Sequence, residues 1–171
     1  MGEYDTFVLR YASALAIVLF KSIYSPFIIW LSAYFSYLPL RLMFDARFTG
    51  NIIWLGQKSI EYVEACSATG AYMFLALLIF LTNGVSFKKG IKIFYWGALF
   101  ILAANVIRIN ILAYLLVAEN INLFLTLHLL TWKILSGVFV AFIWILLVKK
   151  FNIKGIPIVD DFVFLKNKLL Y

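Results

Sequence analysis

Charged residues are scarce in this sequence. Only 13% of its 171 residues carry charge, whereas 65% are hydrophobic, and the mean hydropathy is +0.99. A soluble domain of this length needs a polar surface that such a composition cannot supply. The shortage of charge therefore excludes an ordinary soluble protein. It predicts an all-α integral membrane protein with one membrane domain over residues 1–171.

Cysteine and histidine are scarcer still, because Cys66 and His128 are the only residues of their types. One cysteine cannot form a disulfide within the chain. One thiolate and one imidazole also fall short of the four ligands of a structural zinc site. We therefore expect no internal disulfide, no metal and no cofactor.

The excess of positive charge is explained by a membrane orientation. The net charge is +7, and lysines cluster in two short segments, 88–92 and 149–154. Basic segments beside membrane helices usually stay in the cytoplasm. The pattern therefore predicts a multi-pass protein of the cell membrane with both termini cytoplasmic, and it indicates no nucleic-acid partner.

Apolar stretches predict about four transmembrane helices of roughly 18 to 28 residues each. They cover residues 11–37, 65–82, 91–118 and 123–148. Residues 38–64 are more polar and are predicted to form an external cap, in which Phe48-Thr-Gly-Asn51 is the turn of a hairpin or of an amphipathic segment. Residues 149–171 are predicted to form a cytoplasmic tail along the inner surface.

The first span contains Lys21, followed by Pro26, well inside the apolar stretch. We expect one bent span in which Lys21 extends its charged end toward the inner surface. The alternative is a short interfacial helix that ends near Lys21, with the true span starting later.

Three reactive side chains are predicted to lie at one depth of the membrane. At 1.5 Å per helical residue, Cys66 and Arg108 are each roughly 24 Å from the inner end of their spans. His128 is roughly 30 Å from the inner end of the fourth span before its side-chain reach is subtracted. A thiol, a guanidinium and an imidazole would then share the layer beneath the external cap.

These three groups are suited to nucleophilic catalysis. A thiolate is favoured at a helix N-terminus and beside a cation, and Cys66 is predicted to open the second span. His128 is placed to take the thiol proton and return it to a leaving amine, and Arg108 to stabilise an oxyanion or hold a substrate carbonyl. Five further residues are candidates for orienting these groups: Glu64, Ser67, Thr69, Asn105 and Thr131.

Other interpretations remain open from the residues alone. Cys66 can be a small apolar filler, and His128 an interfacial hydrogen-bonding residue. Arg108 can fasten helices by pairing with Glu119 or with backbone carbonyls. The chain would then be a non-enzymatic membrane subunit that binds a partner helix through Arg108 and His128. A transporter or proton channel is disfavoured, because no second intramembrane acid accompanies Arg108.

Short motifs around these residues resemble the exosortase and archaeosortase family of membrane enzymes. Glu64-Ala-Cys-Ser-Ala-Thr69 is similar to the family's Ala-Cys-Ser-Gly segment, Asn105-Val-Ile-Arg108 to its Asn-x-x-Arg, and Thr126-Leu-His128 to the His that starts the next span. The resemblance covers roughly Gly50 to Val148. Ala68 departs from the pattern, since many members carry Gly there. The short chain resembles a minimal member of archaeal type.

The resemblance implies a sortase-like cysteine transpeptidase with Cys66, Arg108 and His128 as its catalytic residues. The substrates would be exported surface proteins that end in a short motif, a membrane helix and a basic cluster. Cys66 would form a thioester and release that C-terminal signal. An amine of a lipid or envelope acceptor would then resolve the thioester, with the site toward the external face.

Overall fold

The computed structural model describes residues 3–169, without the side chains of residues 3, 132–136, 164 and 167–169. The described chain is mostly helical and also contains one small antiparallel sheet, so the all-α prediction holds for everything except the cap. Its elements in chain order are α1 (Glu3–Leu19), α2 (Lys21–Phe44), β1 (Arg47–Thr49), β2 (Ile52–Leu55), β3 (Lys58–Glu61), α3 (Glu64–Ser67), α4 (Thr69–Phe80), α5 (Phe87–Val117), α6 (Ile121–Ser136), α7 (Val138–Lys150) and α8 (Val159–Leu169).

The single bent span expected over residues 11–37 is divided into two helices. The helix stops at Phe20, whose backbone (φ −91°, ψ 18°) leaves the helical region before α2 begins. Pro26 lies inside α2 without ending it. The predicted cap also begins later than residue 38, because α2 continues to Phe44.

Contacts at both ends show that α1 runs antiparallel to α4. Arg10 on α1 donates to the carbonyl of Phe80, the last residue of α4, at 2.9 Å. Lys21, just after α1, forms an ion pair with Glu64, which precedes α4. Lys21 therefore reaches an acidic partner beside the Cys66 segment. The division into α1 and α2 agrees with the alternative of a short helix that ends near Lys21, with the longer helix starting later.

The cap is a three-stranded meander in the order β1-β2-β3. Gly50 and Gly56, with φ of 63° and 64°, each open a two-residue turn, as glycine does in type II′ hairpins. Ile53 and Leu55 point into the protein, whereas Trp54 between them is exposed. Lys58 donates to the carbonyl of Leu116 at 2.8 Å, which fixes the sheet at the C-terminal end of α5. The predicted hairpin cap is thus present.

The helical core is formed by α4, α5 and α7. Leu75, Ile93, Ile101 and Val140 are fully buried there. Gly97 permits close approach of α4 and α5, because a Cβ at that position would lie 2.4 Å from a methyl group of Leu75. The predicted fourth span, 123–148, is interrupted at residue 137, between α6 and α7.

The segment after α7 docks at the end of the bundle opposite the cap. Arg10 binds the carboxylate of Asp161 through both terminal nitrogens, at 3.0 and 2.8 Å. The amide of Ile158 donates to the carbonyl of Leu81 at 3.0 Å. The predicted tail therefore packs on α1 and α4, and its last two residues lie outside the described part of the chain.

Within residues 3–169, two helices, α2 and α5, are long and apolar enough to cross a membrane by length and composition. Thr69–Phe80 and Ile121–Thr131 are shorter apolar helices. Large apolar side chains such as Leu99, Phe100 and Ile107 are exposed along α5. Such exposure suits a helix that faces lipid.

Candidate active site

Cys66 lies on a one-turn helix, α3, that is separate from α4. The amides of Cys66 and Ser67 both donate to the carbonyl of Val63, at 2.9 and 3.2 Å. Ala68 then adopts the left-handed conformation (φ 56°, ψ 28°) before α4 begins. Cys66 is thus carried on the turn before α4, which begins at Thr69, and it does not open a continuous helix over residues 65–82.

The conformation of Ala68 gives a physical reason for the glycine of the Ala-Cys-Ser-Gly segment that this stretch resembles. A left-handed backbone brings a Cβ too close to the following carbonyl and costs an ordinary residue about 1–2 kcal/mol. Glycine has no Cβ and adopts this conformation freely. Ala68 adopts this conformation despite its Cβ and carries that strain beside Cys66.

The carbonyl of Cys66 is held by two buried side chains of α5. The Asn105 amide donates to it at 2.8 Å and an Arg108 terminal nitrogen, Nη2, at 2.9 Å. The same Arg108 nitrogen is 3.4 Å from the carbonyl of Ala65. Asn105 is fully buried and Arg108 is 5% exposed. The predicted proximity of Arg108 to Cys66 is thus present, with the contact made to the main chain of the thiol residue.

Arg108 retains donors that no described residue uses. Its Nε is buried without a hydrogen-bond partner, and its second terminal nitrogen, Nη1, donates to none of the described residues. The alternative partner Glu119 instead pairs with Lys58, at 3.1 Å. A guanidinium with unused donors is suited to holding a carbonyl or carboxylate oxygen.

His128 faces the same region from α6. It is half-buried, and its ring stacks on Phe124 with centroids 5.9 Å apart and planes 7° apart. Both His128 and Cys66 lie within electrostatic range of Arg108. Within the described part of the chain, no hydrogen bond joins the thiol to the imidazole. Phe124 and Leu127 pack against the buried cluster that contains Cys66, so α6 closes one side of the site.

The predicted orienting residues take three different positions relative to Cys66. Ser67 donates to the carbonyl of Glu64 at 2.8 Å and lies 2.6 Å from the Thr69 hydroxyl, so these residues hold the turn around Cys66. Thr131 donates at 2.6 Å to the carbonyl of Leu127 within its own helix. Asn105 is the predicted orienting residue that contacts Cys66 directly.

The hydrogen-bond network around the Cys66 carbonyl includes two residues that were not predicted, Tyr62 and Ser36. The Tyr62 hydroxyl accepts a hydrogen bond from Asn105 at 3.1 Å and lies 2.9 Å from the Ser36 hydroxyl. Burial raises the pKa of Tyr62, so its hydroxyl stays neutral. Tyrosines are common at membrane surfaces, and a serine in an apolar helix is unremarkable, so neither carried a sequence signal.

An open apolar groove of about 470 Å³ lies beside this network, between α2, α5 and α6. Its walls include Pro39 from α2, Ile107 and Asn110 from α5, and Leu127 from α6. Ile107 and Leu127 are the sequence neighbours of Arg108 and His128. The groove therefore lies along the helices that carry Arg108 and His128, although neither of these side chains is among its walls.

Metal ligands are not grouped in the part of the chain that the structure describes. Residues 3–169 contain no group of three or more His, Cys, Asp or Glu residues that could hold a metal ion. The donors around Cys66 are instead amide, guanidinium and hydroxyl groups.

Comparison with known proteins agrees with the motifs. A family model described as transmembrane exosortase matches residues 5–149. The match includes α1 and α2, so the family resemblance extends further than the Gly50 to Val148 core predicted from the motifs. The chain is also 31% identical over 114 residues to a protein named probable archaeosortase E from Methanocaldococcus jannaschii, an alignment that covers 64% of this chain and 59% of that protein. No solved structure matches the chain. With most of its length matched, the chain belongs to the transmembrane exosortase family.

Proposed function

We propose that this protein is a membrane-embedded cysteine transpeptidase that processes exported surface proteins. It would cleave a C-terminal sorting signal through a Cys66 thioester and transfer the remaining protein to a lipid or envelope acceptor. The observation that carries the proposal is the pair of hydrogen bonds from Asn105 and Arg108 to the Cys66 carbonyl. They fix the nucleophile residue beside a cation that keeps unused donors.

Each step of the reaction has a group available for it. The Cys66 thiol loses its proton to His128, and the thiolate adds to the carbonyl carbon of the scissile peptide bond. The free Nη1 of Arg108 donates to the oxyanion that forms. When the intermediate collapses, the carbon–nitrogen bond breaks and His128 returns the proton to the leaving amine, leaving a thioester on Cys66. An acceptor amine then attacks the thioester, and amide formation regenerates the thiol.

The unbonded thiol and imidazole fit this scheme. Catalytic hydrogen bonds are often long or absent before substrate binds and tighten in the complex. The described side chains of α6 make no hydrogen bond to the Cys66 turn, whereas Arg108 donates to it. We infer that substrate binding brings His128 to the thiol.

The substrate class follows from the surroundings of the site. The groove between the helices that carry Arg108 and His128 has mostly apolar walls, so it suits a segment that is itself embedded in lipid. A peptide bond just beyond such a segment would lie near the cap end of α5. An exported protein anchored by a C-terminal membrane helix, followed by a basic cluster, has this arrangement.

The orientation also forms part of the proposal. Lys88 and Lys89 lie at the start of α5, and the cap is fixed at the end of the same helix by Lys58. Since α5 is about 46 Å long at 1.5 Å per residue, these two ends lie on opposite sides of a bilayer. The basic end would be cytoplasmic and the cap and site external.

The test is processing of a co-expressed exported protein from the same genome that ends in an apolar helix and a basic cluster. Cys66→Ala should abolish removal of the C-terminal signal while the variant accumulates in the membrane at the wild-type level. Arg108→Lys, which keeps the charge but loses the planar donors, should reduce processing about a hundredfold.

Two outcomes would reject the proposal. Processing retained in Cys66→Ala would show that the thiol is not the nucleophile. Loss of membrane accumulation in Arg108→Ala, with no effect of Cys66→Ala on any processing, would favour the non-enzymatic subunit that binds a partner helix through Arg108 and His128.

A further inference from the structure

Tyr62 joins three parts of the protein at one buried point. Its side chain is fully buried, and its hydroxyl meets Asn105 of α5 at 3.1 Å and Ser36 of α2 at 2.9 Å. Its backbone amide donates to Asn51 in the first turn of the cap, at 2.7 Å. The residue therefore connects the cap, α2 and α5 immediately before the Cys66 turn.

Asn105 divides its amide hydrogens between Tyr62 and Cys66. One N–H goes to the Tyr62 hydroxyl at 3.1 Å and the other to the Cys66 carbonyl at 2.8 Å. Its Oδ1 is buried with no partner. Rotation of the amide by 180° would place Oδ1 against the Cys66 carbonyl, which also accepts hydrogen bonds. The Cys66 carbonyl, which only accepts, therefore selects the orientation that directs an N–H at it, and in that orientation the Tyr62 hydroxyl accepts the second N–H.

We propose that Tyr62 is a positioning residue, which acts through Asn105 to hold the carbonyl of Cys66 and thereby the thiol. The activity part of this proposal rests on the proposed transpeptidase function. The effect on the thiol itself does not, because the geometry of the turn can be probed without a substrate.

Loss of the Tyr62 hydroxyl has a defined consequence. Tyr62→Phe keeps the ring but leaves one Asn105 N–H without an acceptor in a buried place. Asn105 can then turn, and Arg108 alone holds the Cys66 carbonyl. In the wild-type protein Cys66 is only 8% exposed. The looser turn in the variant makes the thiol more accessible and worsens its alignment for attack.

The experiment measures two quantities on the full chain purified in detergent. One is the rate of Cys66 alkylation by N-ethylmaleimide, and the other is kcat and KM for signal removal from a co-purified substrate. Tyr62→Phe should raise the alkylation rate about threefold or more and lower kcat about tenfold, with KM changed less than about twofold. Tyr11→Phe is the matched control, because the Tyr11 hydroxyl also makes a side-chain hydrogen bond, which it donates to Asp161 at 3.2 Å, far along the chain from the site. It should leave both quantities at the wild-type level.

A double-mutant comparison separates positioning through Asn105 from a general loss of structure. In an Asn105→Leu background, Tyr62→Phe should cause no further change in alkylation, because the link is already cut. An equal change in both backgrounds would overturn the proposal, as would an unchanged alkylation rate in Tyr62→Phe. If Tyr62→Phe does not accumulate, Asn105→Leu alone tests the link, and wild-type alkylation in that variant overturns it. Retained processing in Cys66→Ala would reject the transpeptidase function and leave the alkylation result standing.

Discussion

Ala68 provides a quantitative test of the turn that carries Cys66. The same substitution, alanine to glycine, can be made at Ala68 in the left-handed conformation and at Ala76 inside α4. At both positions it removes one methyl group and adds a similar freedom to the unfolded chain. The two variants therefore differ mainly in what the native backbone gains or loses.

The expected difference follows from the two backbone conformations. At Ala76, glycine in a helix interior costs about 1 kcal/mol relative to alanine. At Ala68, glycine relieves a left-handed strain of about 1–2 kcal/mol, which offsets the entropy that glycine adds to the unfolded chain. Ala68→Gly should thus be neutral or stabilising, and should be more stable than Ala76→Gly by about 1–2 kcal/mol. For a chain of this size that corresponds to about 2–8 °C in apparent Tm.

The assay is thermal unfolding of the purified variants in one detergent at one heating rate, followed by tryptophan fluorescence. Equal losses of Tm in Ala68→Gly and Ala76→Gly would refute the reasoning, because they would mean that residue 68 is not held in a left-handed conformation. A lower Tm for Ala68→Gly than for Ala76→Gly would contradict it more strongly.

Two further predictions concern packing and orientation. Gly155→Ala should lower the apparent Tm by an amount equivalent to about 2 kcal/mol, since its Cβ would lie 2.3 Å from the main-chain oxygen of Asn83. Gly70→Ala, with nothing within 4 Å of its Cβ, should not lower the Tm in the same thermal assay. Equal behaviour of the two variants would contradict the docking of the tail. In intact cells, an impermeant maleimide should label Arg47→Cys in the cap but not Lys89→Cys, each in a Cys66→Ala background, and the reverse pattern would contradict the proposed orientation.

The helices could be predicted from the sequence where apolar runs are uninterrupted. The third predicted span, 91–118, agrees with α5 at Phe87–Val117 to within a few residues. The break at Phe20 corresponds to the alternative of a short helix that ends near Lys21, for which the charge of Lys21 was the signal, since no glycine or proline marks the position itself. The break between α6 and α7 was not predicted either, because Gly137 is a lone glycine in an apolar run, a pattern that helices often tolerate.

Part of the site could be predicted from helix geometry. Counting helical rise placed Cys66 and Arg108 in one layer, and the structure brings Arg108 to the Cys66 carbonyl at 2.9 Å. The turn at Ala68 was not predicted, since alanine gives no sign of a left-handed backbone. The contribution of Tyr62 was also missed, because it depends on which side chains of α2 and α5 meet it, a tertiary fact that no local pattern contains.

The central claim is that Cys66 forms a covalent acyl intermediate with its substrate, and trapping that intermediate tests it most directly. Membranes with wild-type protein and a tagged substrate would be quenched in acid, and the peptide that carries Cys66 analysed by mass spectrometry. We predict a substrate-derived adduct on Cys66 that neutral hydroxylamine releases, as expected of a thioester. Formation of processed product with no adduct on Cys66, or in the Cys66→Ala variant, would contradict the account.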